Sequence, residues 1–187
     1  RKEVMEDTPR QAQRLQFKVL CGPTGSGKTR LLQALAQEGA QVLDLEAIAC
    51  HRSSVLGLIP GTPQPTQKAF DTQVWDALRG FSADRPVFVE AESKKVGNLA
   101  VPDELMVAMR ASPCLRVDLS LENRVNLLLE DYAFFTQDRA LFADRLERLV
   151  ALRGKAVVQA WQERIERGEM REVVTELLSG HYDPGYE

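Results

Sequence analysis

Histidine, cysteine and long apolar runs are all scarce in this chain. Two histidines in 187 residues leave no basis for a His-rich metal centre. The three cysteines, Cys21, Cys50 and Cys114, lie far apart and form no CxxC pair. That spacing argues against a disulfide framework and against a zinc site, and it fits a reducing, cytoplasmic setting. No apolar stretch approaches the roughly 18 residues of a membrane span, so no membrane partner is expected. The opening RKEVMEDTPR is basic but has no apolar segment behind it, which excludes a signal peptide. It also lacks an initiator Met, the first being Met5, so the chain reads as a piece of a longer protein. A large excess of charge is missing too: 24 Lys and Arg stand against 27 Asp and Glu, for a net charge of −3. From Arg116 onward there are ten basic and fourteen acidic side chains. A globally basic nucleic-acid coat is therefore excluded, and any RNA contact must use a local patch.

What is present is an ordinary globular composition, 44% apolar, in a chain long enough to bury a full core without staples. Short apolar runs at Phe17–Cys21, Gln41–Leu45, Pro86–Glu90 and Cys114–Leu119 predict strands. Helical spacing predicts helices over Lys28–Glu38, from the Thr66 cap to Phe81, and from Pro102 to Ala111. From Ser120 to about Ser179 nearly everything reads helical, with a break at Gly154 and a stop at Gly180. Residues 51–66 read as a loop. Alternating strands and helices predict an α/β fold, a P-loop NTPase-like parallel sheet of about four to five strands flanked by helices. The expected organisation is a linker or surface helix over 1–16, the α/β domain over 17–153, and a C-terminal helical extension over 154–187.

Residues 22–29 read Gly-Pro-Thr-Gly-Ser-Gly-Lys-Thr, a full GxxxxGK[ST] pattern between a predicted strand and a predicted helix. Gly22, Gly25 and Gly27 allow close backbone wrapping, and the amides of Thr24 and Ser26 add to an anion-binding nest. Lys28 supplies a point charge for terminal phosphates, and Thr29 can ligate Mg²⁺. The motif calls for a di- or triphosphate-like ligand without saying which.

A P-loop also needs an acidic partner at a neighbouring strand end, which holds the metal through water or acts as a base. Glu90 and Glu92 close the third strand, and Asp44 and Glu46 close the second. Lys28, Glu90, Glu92 and Asp44 are the catalytic candidates, with Thr29 and Glu90 as the Mg²⁺ pair and Glu46 as a substrate-facing residue. His51 and Arg52, in the loop that runs on to Ser53 and Ser54, suit an anionic or polynucleotide substrate. Gln67 and Lys68 open a helix where a cation is electrostatically disfavoured, a hint of function. Lys94, Lys95 and Asn98 make a positive spot beside Glu92. Arg124, one turn after the fourth strand, is the best helical candidate for a phosphate contact. Arg139, Arg145, Arg148 and Arg153 read as a solvated face, and Trp75 and Trp161 as packing residues.

Several segments occur together and in order: GPTGSGKTRLLQ, DLEAIACHRSSVLG, PQPTQKAFD, VFVEAESKKVGN, VPDELMVAMRASP and LLLEDY. That set resembles the C-terminal P-loop domain of the tRNA 2-selenouridine synthases, also called tRNA 2-thiouridine geranyltransferases, over roughly residues 17–187. The family favours Gly at the position of Ser53 and arginines at those of Lys94 and Lys95. Its members also carry an N-terminal rhodanese-like domain with a selenium-handling cysteine, and no cysteine here has that setting. The resemblance implies geranylation of the 2-thio group of a wobble uridine by geranyl diphosphate, then selenium delivery from selenophosphate. It implies a tRNA anticodon carrying a 2-thiouridine wobble base as partner, and a rhodanese domain in cis. Other readings stay open: an ATP-dependent small-molecule or nucleoside kinase, and a non-catalytic module that docks tRNA or a nucleotide. A P-loop motor ranks last.

Overall fold

Four short apolar segments become the strands of one parallel sheet in the computed structural model, which describes residues 2–52, 57 and 59–185. In chain order the strands are β1 (Phe17–Cys21), β2 (Gln41–Leu43), β3 (Val87–Glu90), β4 (Lys95–Val96), β5 (Leu99–Ala100) and β6 (Cys114–Arg116). The sheet order is β2-β3-β1-β6, all parallel, while β4 and β5 form a separate antiparallel hairpin. Phe17 pairs with Val87 and Leu20 with Glu90, so the acid ends its strand level with the end of β1. Strand order reverses around β1, and the carboxyl ends of strands at such a reversal are where open α/β sheets bind ligands.

The chain divides into two compact units. The first runs up to Cys21 and over Lys28–Arg116; the second comprises Gly22–Gly27 and the chain from Val117 onward. In the first unit lie α1 (Lys2–Arg14), α2 (Lys28–Gln37), α3 (Leu45–Ala49), α4 (Gln67–Gly80) and α5 (Asp103–Arg110). Its core joins Phe17, Val19, Val87 and Val89 of the sheet to Phe70, Val74 and Leu78 of α4 and Leu105, Met106 and Met109 of α5. Residues 2–14 are a packed helix, with Val4, Thr8 and Ala12 buried. Thr66 caps α4 by accepting from the Ala69 amide, as its position before the apolar face predicts.

The second unit holds α6 (Leu121–Asp131), α7 (Ala133–Gln137), α8 (Arg139–Leu146), α9 (Val150–Arg153), α10 (Lys155–Glu166) and α11 (Met170–Leu177). Ser120 caps α6. Phe135 and Phe142 stack with ring centroids 4.8 Å apart. Leu146, Leu149, Val158, Trp161, Ile165 and Leu177 are buried with them.

Three expectations need correction. Cys21 and Cys114 are joined as a disulfide between β1 and β6, with Cα atoms 6.2 Å apart, a normal span for the bond. Residues 93 apart in sequence become neighbours because β6 pairs with β1, and no local spacing signals that. Strand β2 stops at Leu43 because Asp44 caps α3. Gly180 does not end a helix: a π-helical turn, Leu178–Tyr182, runs through it. Gly154 (φ +83°) bends the chain inside one unit, where Gln162 of α10 donates to the Ala143 carbonyl of α8 at 2.9 Å.

Candidate functional site

The loop Gly22–Gly27 belongs to the second unit, and the chain beside it leaves little room for a side chain at Gly22 or Gly25. Gly22 has φ +149°, and a Cβ there would collide with the Val117 carbonyl oxygen. Gly25 has φ +77°, and its Cβ would lie 3.0 Å from Leu128 Cγ and 3.1 Å from the Arg124 carbonyl. Close approach to Val117 at Gly22, and to α6 at Gly25, therefore favours glycine independently of any ligand. Arg124 is only 5% exposed. Its Nε donates to the Thr24 carbonyl at 2.9 Å, and its two terminal nitrogens donate to Asp183 at 3.0 and 2.5 Å. The Ser26 amide donates to the Pro23 carbonyl at 3.1 Å, closing the turn. The Ser26 hydroxyl is buried and has no hydrogen-bond partner among the described residues. A buried donor in a glycine-rich loop fits an anionic ligand.

In the first unit, Lys28 and Thr29 open α2. The Thr29 hydroxyl donates to Glu90 Oε2 at 3.0 Å. Glu90 is buried, and its carboxyl is pushed up from 4.5 to about 7. Burial is the largest cause; repulsion from Glu46 adds to it, the Thr29 hydrogen bond and the Lys28 charge oppose it, and Asp44 raises it further. Lys28, Thr29, Asp44, Glu46 and Glu90 thus form one electrostatic cluster. Asp44 also accepts from the Ala47 amide at 2.9 Å as the cap of α3. A hydroxyl and a carboxylate in contact are the oxygen donors Mg²⁺ prefers. No group of three His, Cys, Asp or Glu among the described residues makes a metal cage. That donor set fits Mg²⁺ held by few protein ligands plus phosphate and water.

The remaining predicted residues are dispersed. Glu92 is half-buried and lines a cavity of about 180 Å³ with Cys21, Met106, Met109, Arg110 and Cys114. His51 is buried, and its amide donates to the Glu46 carbonyl at 3.1 Å. Arg52 is half-buried, while Ser53 and Ser54 lie outside the described residues. Gln67 clasps Ala100, donating to its carbonyl at 2.9 Å and accepting from its amide at 2.8 Å. Lys68, Lys94, Lys95 and Asn98 are exposed.

Two partners were not singled out by the sequence reading. Gln64 donates to the Ala49 and Val96 carbonyls and accepts from the Asn98 amide at 2.9 Å. Its signal was the repeated glutamine of PQPTQK, one either side of the Thr66 cap. Asp183, the partner of Arg124, is 59 residues away from it, and no pattern marks it.

A family model described as the tRNA 2-selenouridine synthase AAA domain matches residues 15–150. The tRNA 2-selenouridine synthase of Alcanivorax borkumensis is 33% identical over 201 residues, covering 92% of this chain and 54% of the relative. That of Pseudomonas syringae pv. syringae is 36% identical, covering 90% of this chain and 52% of the relative. That of Azotobacter vinelandii is 34% identical, covering 96% and 55%. The chain thus spans about half the length of the curated relatives it matches over nearly its whole extent. No solved structure matches it. With its phosphate-loop motif, its parallel sheet and this match, the chain belongs to the tRNA 2-selenouridine synthase family, and its residues 15–150 match that family's AAA domain.

Proposed function

We propose that the chain is the phosphate-binding part of a tRNA-modifying transferase that geranylates a wobble 2-thiouridine. The loop of residues 22–29 takes the diphosphate of geranyl diphosphate, and the uridine sulfur attacks the carbon bearing it. The supporting observation is the contact of Thr29 with Glu90 in the same cluster as Lys28. As the carbon–oxygen bond breaks, negative charge grows on the departing diphosphate. Lys28 and the loop amides stabilise that charge. Thr29 and Glu90 would hold Mg²⁺, which neutralises further charge on the diphosphate. Sulfur is a good nucleophile, so no strong protein base is needed, and Glu92 and Asp44 have supporting roles at most.

Exposed Lys68, Lys94, Lys95 and Asn98, with His51, Arg52 and Gln67, are the proposed anticodon-facing residues. In the second step selenium from selenophosphate replaces the geranylthio group. That step needs the cysteine of a rhodanese-like domain in cis, and the proposed tRNA substrate fits a cytoplasmic enzyme.

Calorimetric titration of the chain with Mg²⁺ against geranyl diphosphate and ATP tests this reading, with Lys28→Ala as control. Geranyl diphosphate should bind, lose its signal in the variant, and outcompete ATP. Tight ATP binding without a geranyl diphosphate signal overturns it in favour of an ATP-dependent kinase.

A further inference from the structure

Arg124 has the chemistry of a phosphate ligand but is engaged elsewhere. All three guanidinium nitrogens make hydrogen bonds: Nε to the Thr24 carbonyl, the other two to both oxygens of Asp183. The pair is deeply placed on the arginine side, whose side chain is 7% exposed, and partly open on the aspartate side, at 33%. A two-pronged bond of this kind fixes the guanidinium plane as well as its position. We propose that Asp183 and Arg124 are positioning residues for the phosphate loop, with Asp183 orienting the guanidinium and the guanidinium orienting the Thr24–Gly25 peptide. This rests on the loop being the phosphate site proposed above.

The argument runs through one peptide plane. A trans peptide points its carbonyl and its amide in opposite directions. Holding the Thr24 carbonyl against Arg124 therefore aims the Gly25 amide away from α6. Gly25 sits in a left-handed conformation with α6 against its Cα, so the plane has little room to turn the other way. Preorganised amides bind an anion better than mobile ones, because their ordering is not charged to the binding step. The latch also makes a turn near the end of the described chain, Asp183–Gly185, a determinant of a loop far earlier in sequence.

Asp183→Asn removes the charge that orients Arg124, and Arg124→Lys keeps a cation that cannot span both partners. Hydrogen exchange on the ligand-free chain and inorganic pyrophosphate titration with Mg²⁺ read the consequence, with melting temperature as the check on folding. Both variants should melt below the parent, because the buried pair is broken, yet remain folded at the temperature of the titration. Each should exchange the amides of residues 24–27 faster and bind pyrophosphate roughly tenfold more weakly, the worth of one charge-assisted hydrogen bond. Asp183→Glu, which keeps the carboxylate, should recover most of the affinity. Unchanged exchange in the loop of both variants overturns the latch, whatever the affinity. Absence of pyrophosphate binding in the parent, with Lys28→Ala no different, instead overturns the phosphate reading of the loop and the positioning role with it.

Discussion

The Thr29 hydroxyl donates to Glu90 Oε2 at 3.0 Å, joining the first turn of α2 to the end of β3. The bond needs no charge on Glu90, because the hydroxyl is the donor. It persists in a carboxyl that burial and Glu46 keep protonated up to about pH 7.

That protonation has a sign that can be measured. The unfolded chain releases the Glu90 proton near 4.5, the folded chain near 7. Between those values the unfolded state binds fewer protons, so stability falls as pH rises. The favourable contribution is complete below 4.5 and is lost as pH rises through about 7, an effect of about 3 kcal/mol. Glu90→Gln removes it. In buffer without divalent cations, chemical denaturation should show the variant more stable than the parent at neutral pH and no different at the acid end. Parallel pH profiles for the two proteins would refute the assignment.

Lys28 and Thr29 are adjacent in sequence yet act by different physics. Lys28 places a full charge against the ligand, whereas Thr29 contributes an oxygen donor. Lys28→Ala should weaken pyrophosphate binding about a hundredfold with or without Mg²⁺, the scale of one or two charge-assisted hydrogen bonds. Thr29→Ala should abolish most of the Mg²⁺ enhancement and leave metal-free binding nearly intact. Equal losses in both conditions for both variants would mean that Thr29 has no metal role.

Much of this was legible because the cues are local. GxxxxGK[ST] between an apolar strand and a helix is a chemical instruction within a few residues, and Thr66 and Ser120 announce their helices in the same way. Strand-end acids could be named, but Glu90 differs from Asp44 only in three dimensions. One is buried against Thr29; the other is bonded to a helix amide. Arg124 was legible as a cation near the loop, and its bond to Asp183 was not, since it depends on a chain reversal through five helices. Both tryptophans were read as packing residues. Trp161 is buried and donates to Glu176 at 2.8 Å; Trp75 is half-buried and donates to Asp7 at 2.9 Å. The acidic partners of their indoles lie on other helices and leave no mark in the sequence.

Gln67 carried a functional hint in the sequence and has a structural occupation in the fold. With Gln64 it satisfies the backbone of the β4–β5 hairpin, which among the described residues pairs with no other strand. Gln64→Leu is nearly isosteric and leaves the Ala49 and Val96 carbonyls and the Asn98 amide without their partner. It should cost about 2 kcal/mol, and Gln67→Leu about 1 kcal/mol because that site is exposed. Urea denaturation gives both values. A Gln67→Leu variant of unchanged stability that lost tRNA binding would show that Gln67 acts on the substrate and not on the hairpin.

The Cys21–Cys114 pair makes the most direct claim on solution chemistry. It joins β1 to β6 and leaves Cys50, half-buried, as the free thiol among the three. Alkylation of the denatured, unreduced protein should therefore label one cysteine, Cys50, and reduction should expose two more. A crosslink closing a loop of 93 residues restricts the unfolded chain strongly, by about 4–5 kcal/mol on the chain-entropy account. Reduction, or Cys114→Ser, should lower the melting temperature accordingly, while Cys50→Ser should change little. The bond sits at the end of the strand that enters the phosphate loop, so pyrophosphate affinity should be compared before and after reduction below the melting point. Three alkylated cysteines in protein prepared without reductant would show that the pair stays reduced, and β1 and β6 would then be held by their ladder alone.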